Sequence, residues 1–219
     1  MLLLVIAGSP PVAMRILLYA TIACSVIAAR AASDAHPVFE PDIDAAQGLT
    51  LQGRTWSRED ASLTIHLREV DQAERLNYIE GATGVRIDPF AAPAGSEPRF
   101  VTFLLVVENK GDVAVGFNAL DSWLKTNRQE IQTPLGLTDL SFDYHTAGLE
   151  LPAAYESISP VMLEGARTII PGDSVSGLLV YRVVDSRTKR FHVEVDLIPP
   201  SGDVVRFNAP YRRSKPASN

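Results

Sequence analysis

The chain has 219 residues, 46% of them apolar and 21% charged, with a formal charge of −6 and one cysteine. That length supplies one sizeable core. The acidic balance argues against a nucleic-acid partner, which needs clustered Lys and Arg to neutralise phosphate, and a lone cysteine leaves no internal disulfide.

Residues 1–31 contain no Asp or Glu. Arg15 precedes the apolar run "ILLYATIACSVIAA", and Ala29-Arg30-Ala31 follows as a small-x-small site. That order of basic, apolar and small residues is the order of a secretory signal, and the run is shorter than the roughly 20 residues of a membrane span. Cleavage after Ala31 is expected, with Met14 as an alternative start because Pro10 and Pro11 interrupt the stretch before it. Cys24 follows Thr21-Ile22-Ala23, a poor match to the Leu-Ala-Gly-like triplet before a lipidated cysteine. Membrane attachment is therefore expected only through an uncleaved signal or a lipidated Cys24. The chain reads as exported: periplasmic, cell-surface or secreted.

Residues 32–47, acidic and proline-marked, show no period and read as an extended leader to a domain spanning 48–210. "SLTIHLREV" alternates, with Leu63, Ile65 and Leu67 on one side and Thr64, His66 and Arg68 on the other, which is the pattern of a half-buried strand. Asp71 and Glu74 have the spacing of a capping box, which predicts a short helix to about Ile79, ended by Gly81 and Gly84. "RFVTFLLVVEN" is apolar on both faces, as in a central strand covered on both sides. Asn109-Lys110-Gly111-Asp112 predicts a turn from which "VAVGF" returns antiparallel, and Thr126-Asn127-Arg128-Gln129 repeats the scheme. The final strands are "ARTII", "DSVSGLLVYRV", "RFHVEVDLI" and "DVVRFN", with 211–219 as a basic tail. Seven to nine short strands with frequent turns predict an all-β fold, an immunoglobulin-like antiparallel β-sandwich with one short helix. Its core is expected to rest on Phe103, Leu105, Val107, Leu179, Val193 and Val195.

Residues 134–165 have no sustained strand period and form a long irregular insertion in this reading. The segment is nonetheless rich in large apolar side chains, so it is the expected interaction surface, with Phe142, Tyr144, His145 and Tyr155 as candidate binding residues. The alternative is that its side chains pack on the sandwich. Trp56 and Trp123 are candidate aromatic platforms, with a core position expected for Trp123. His36, His66, His145, His192 and Met162 could in principle serve copper, but no histidine pair falls at i, i+2 or i, i+4.

Gly172-Asp173-Ser174 resembles the block around a hydrolase serine. The G-x-S-x-G elbow fails at Ser176, Val175 and Ser176 replace the glycines of a trypsin-like loop, and His192 has Lys189 rather than an Asp three positions before it. Pro171-Gly172 then reads as a turn that starts a strand, with Gly177 at a bulge or close approach. No catalytic residue is assigned.

"FLLVVENKGD" (103–112) followed much later by Pro-Gly-x-Ser and Gly-Leu-Leu-Val-Tyr (171–181) resembles bacterial exported immunoglobulin-like domains of unknown function, over roughly residues 60–208. The resemblance implies an extracytoplasmic sandwich with no family active site. The expectation is a non-enzymatic binding or structural module without a cofactor, whose partner is a protein or envelope component. A periplasmic metal-handling protein and a proteinase-inhibitor-like domain are the alternatives.

Overall fold

The computed structural model describes residues 38–92, 95–148, 150 and 155–214; the signal segment, the start of the leader with His36, and the end of the basic tail lie outside them. The chain forms β1 (Phe39–Pro41), a turn of 3-10 helix (Ile43–Ala45), β2 (Thr50–Gln52), β3 (Thr55–Glu59), β4 (Leu63–Glu69) and helix α1 (Gln72–Thr83). It continues with β5 (Phe100–Asn109), β6 (Val115–Thr126), β7 (Ile131–Gln132), helix α2 (Leu137–Thr146) and a 3-10 helix (Tyr155–Val161). Strands β8 (Ala166–Ile169), β9 (Ser174–Arg182), β10 (Arg190–Ile198) and β11 (Val205–Arg213) complete it.

Two antiparallel sheets pack together. One runs β1-β11-β10-β6-β7, with β8 also paired to β6; the other runs β2-β3-β4-β5-β9. Alternation along each strand supplies the core between them. Leu63, Ile65 and Leu67 from β4, Phe103, Leu105 and Val107 from β5, and Leu179 and Tyr181 from β9 meet Val193, Val195, Phe207 and Tyr211 of the facing sheet. All six residues expected in the core are fully buried. Strand β1 falls within the expected leader, yet it pairs with β11 from Phe39 opposite Arg213 to Pro41 opposite Tyr211. Asp42 N extends the pairing to Pro210 O (3.0 Å).

The central strand has two covered faces, as its sequence predicts, but the outer cover is a second core. Phe100 of β5 and Leu178 and Val180 of β9 face away from the sandwich and pack with Ile79 of α1, Leu140 and Tyr144 of α2, and Ile158, Val161 and Met162. The molecule is thus mostly β with a helical layer on the second sheet.

Three sequence expectations are corrected. Segment 134–165 is largely helical rather than irregular, and the molecule has two α-helices rather than one. Helix α2 was hidden because it is ten residues long, starts at Gly136 with no side-chain cap bond, and contains Thr, Asp and Ser, which are indifferent helix formers. Secondly, "VAVGF" does not return beside β5. The chain crosses to the other sheet, where Val115 pairs with Ile169 and Gly116 with Ile198. Buried Asn109 holds the crossing: its Nδ2 donates to Val113 O (2.8 Å) and Ile169 O (2.9 Å), and its Oδ1 accepts from Gly111 N (3.0 Å). Thirdly, α1 keeps its predicted capping box but runs through Gly81 to Thr83, ending on Gly84 at φ 72°.

Candidate interaction surface

The four candidate residues of segment 134–165 divide into two pairs. Tyr144 is buried and its hydroxyl donates to Pro89 O; Tyr155 is half-buried and its hydroxyl donates to Leu137 O. Burial raises the pKa of both phenols. Their apolar bodies line the second core, so these two tyrosines hold the segment down. Phe142 and His145 point the other way. Phe142 is 67% exposed, and His145, three residues on, is exposed on the same side of α2.

The rest of the segment packs. Leu140, Ile158, Val161, Met162 and Leu163 are buried and Leu137 is half-buried, whereas Leu149 and Leu151 lie outside the described residues. Polar contacts fix α2 on its base. Arg182 of β9 makes two 2.8 Å bonds to the Asp143 carboxylate, which raises the arginine pKa, and Arg99 donates to Asp143 O (3.1 Å). At the other end Gly136 N donates to Asp139 Oδ2 (3.0 Å). Phe142 therefore stands on a helix anchored by polar contacts near both ends, not in an irregular loop.

A second group, built around the candidate platform Trp123, lies on the outer face of the first sheet. Trp123 is half-exposed there, a correction to its expected core position, while Trp56 is 1% exposed in the core. The chain turns Trp123 outward because Ser122 and Leu124, its neighbours along β6, take the buried side. Trp123 pairs across the sheet with Glu194 and carries the Lys125 ammonium 5.0 Å from its ring centroid. Glu194, with its side chain 7% exposed, accepts from Lys125 (2.8 Å), and Arg206 stands 3.3 Å away with two 2.8 Å bonds to Asp196. His192 sits at the edge of this network, 4.0 Å from Glu194, and burial lowers its pKa, with Glu194 opposing and Lys125 adding to the shift. Two cations and two carboxylates here satisfy each other.

Two groups with catalytic residue types complete the survey. Ser174 begins β9 opposite Glu108, after a turn in which Asp173 N donates to Ile170 O (3.0 Å) and Gly172 takes φ 83°. That is the turn expected at Pro171-Gly172, and the positive φ at its third position makes it type II. Ser57 Oγ and His66 Nδ1 are 2.8 Å apart on the outer face of the second sheet. Strands β3 and β4 are each paired on both sides at Ser57 and His66, so the two side chains stand on a continuous sheet. His66, His145 and His192 lie on different elements, and among the described residues no three metal-ligating side chains gather.

No protein-family model matches the chain, and no curated protein sequence matches it. Solved structures do resemble it. The yjhA protein from Bacillus subtilis is 12% identical, with 64% of this chain and 76% of that one covered at a TM-score of 0.36. A Bordetella pertussis protein designated ApaA is 9% identical, with 73% and 96% covered at a TM-score of 0.30.

Proposed function

We propose that this protein is a non-enzymatic binding or structural module that works outside the cytoplasm and contacts a protein or envelope component through the exposed side of α2. The observation that carries the reading is Phe142, a large aromatic side chain 67% exposed on a helix whose neighbouring residues Asp143 and Tyr144 are both anchored. A pre-organised helix face loses little conformational freedom on binding, which favours affinity from a small number of contacts. The signal-like order of residues 14–31 supports work beyond the cytoplasm.

The strand order supports an immunoglobulin-like origin. Taking β4, β5, β6, β9, β10 and β11 as strands A, B, C, E, F and G gives A-B-E in one sheet and C-F-G in the other, with β7 beside C. Such a scaffold leaves specificity to what is added to it, and the α2 layer is the largest addition.

The test compares the domain from residue 32 onward with its Phe142→Ala/His145→Ala variant, each immobilised and exposed to the envelope fraction. A component retained by the unsubstituted domain and lost from an equally stable variant supports the reading. Equal retention by both places the contact elsewhere. Mature protein beginning near Ala32 is the expected result of N-terminal sequencing, and a full-length cytoplasmic product overturns the export part.

A further inference from the structure

Strand β8 is paired on one side by β6, with Phe117 opposite Arg167, Gly116 opposite Thr168 and Asn118 opposite Ala166. Ala119 N donates to Gly165 O (3.0 Å), which sets the alternation of that ladder. Arg167 and Ile169, two and four residues on, turn their amides and carbonyls toward β6; Ala166 and Thr168 turn theirs away from it. Among the described residues no strand lies on that far side, and no loop donates to or accepts from those groups. Residues 166–168 are all exposed.

The edge of β9 is treated differently. Its own chain covers it, where Leu163 N donates to Leu178 O (3.0 Å) and Leu135 N to Val180 O (2.7 Å). The molecule thus closes one sheet edge with itself and leaves that of β8 open. An open edge is a template for another strand.

The two faces beside this edge differ. On the outer face Ala166 and Thr168 border an open cavity of about 290 Å³ that extends over Gly116 to Ile198. Its floor is Gly116, where a Cβ would lie 3.3 Å from Ile198 O, and Ile198 is itself 46% exposed. Ala166 and Thr168 are too small to wall the cavity off from the edge. On the inner face stands Arg167, on the same side as buried Phe117. Among the described residues its guanidinium has one contact, 3.5 Å from Met162 O, and no carboxylate.

These features select the occupant. A second copy could use both open residues of each β8 only by setting Ala166 against Thr168, a register that places Arg167 directly opposite its counterpart. Like charges so placed oppose pairing. A strand with Asp or Glu opposite Arg167 replaces the repulsion with an ion pair. The residues flanking that acid then face outward, where a large apolar side chain reaches across Ala166 or Thr168 into the cavity.

We propose that β8 is a strand-addition site: an extended segment of a partner protein pairs antiparallel with residues 166–168, setting an acidic residue against Arg167 and an apolar one over Gly116. The antiparallel sense is that of every other pair in this sheet. Backbone bonds supply the pairing, and the cavity and Arg167 choose the segment. The site belongs to the first sheet and does not depend on what α2 contacts.

The experiment records amide NMR spectra of the full chain during titration with the blocked peptide Thr-Leu-Glu-Phe-Thr to millimolar concentration. The Ala166 and Thr168 amides are expected to shift saturably and to exchange more slowly with solvent, with β4 and β5 unchanged. N-methylation of the peptide's Leu and Phe, which removes the pairing N–H groups, should abolish the effect. Lys in place of the peptide's Glu should weaken binding about two- to fivefold, the scale of one exposed ion pair, and Arg167→Glu should reverse that preference. No shift at Ala166 and Thr168, equal binding of the N-methylated peptide, or an unreversed preference in Arg167→Glu overturns the proposal. Slowed exchange of the same amides on raising protein concentration without peptide assigns the edge to a second copy and overturns it as well.

Discussion

Leu163 occupies the space that a side chain at position 177 would need. A Cβ on Gly177 would lie 2.8 Å from Leu163 Cγ and 3.0 Å from Val161 O. The approach is this close because Leu163 N donates to Leu178 O (3.0 Å) and Met162 bridges Leu178 in parallel, so 162–163 lie along the open side of β9. Gly177→Ala should cost about 1–3 kcal/mol, the scale of overpacking. In a double-mutant cycle with Leu163→Ala the two losses should be less than additive. A Gly177→Ala variant with an unchanged denaturation midpoint would contradict the contact.

Arg75 and Asp88 form an ion pair in the second core, with side chains 8% and 4% exposed, and Arg75 also donates to Thr102 Oγ1 (2.9 Å). Asp88→Ala strands a buried guanidinium and should cost about 3–5 kcal/mol. Replacing both, as Arg75→Met with Asp88→Leu, should cost much less, because the desolvation of two charges is removed together with their attraction. Chemical denaturation of the three proteins checks the order.

Leu105 faces the first core and Leu178 the second, and each is fully buried. Leu105→Ala and Leu178→Ala should both cost about 2–5 kcal/mol. A plain two-sheet sandwich would register only the first loss, so near-neutral behaviour of Leu178→Ala would remove the helical layer from the account of stability.

Ser174→Ala should change stability by no more than about 1 kcal/mol, the scale of one local hydrogen bond, and Ser174 should not react with a fluorophosphonate probe. Gly172→Ala, at φ 83°, should be the costlier substitution in the same turn, by about 1–2 kcal/mol. Reversal of that order in unfolding curves would count against the type II turn.

Burial raises the pKa of Glu69, and the shift has a definite sign. Because its folded value, about 7, exceeds its ordinary one, the group contributes stability in acid and loses that contribution as pH rises through neutrality. Melting temperatures should therefore favour Glu69→Gln over wild type above about pH 7, with the gap narrowing toward about pH 5. A gap of constant size across that range would show that Glu69 does not titrate there.

The sheets were legible in the sequence because alternation survives wherever one face is buried: β4 and β10 could be read residue by residue from Leu63 and Phe191 onward. What alternation cannot report is which sheet receives the next strand, and so the crossing at Asn109 looked like a hairpin. Helix α2 did leave a trace. Leu137, Leu140 and Tyr144 stand at i, i+3 and i+7, but Thr138, Asp139 and Ser141 between them diluted the period below notice. Glu69 also had a signal, since it falls in step with three buried residues of β4, and a charged residue in a buried register is a conflict worth noticing. The outward turn of Trp123 had none, because residues 118–121 interrupt the β6–β10 register and shift the parity that its neighbours suggest.

Val38 O accepts from Ser214 N (2.8 Å), and β1 and β11 run side by side from that point. The described fold is thus entered and left at one corner. Tension along the polypeptide would bear first on the three paired residues of β1, peeling them from β11 one bond at a time, and would reach the sandwich interior only after that short zip had opened. Placed within a longer chain, such a domain would hang to one side like a pendant, adding little to the reach between its neighbours while turning its far end freely toward a partner.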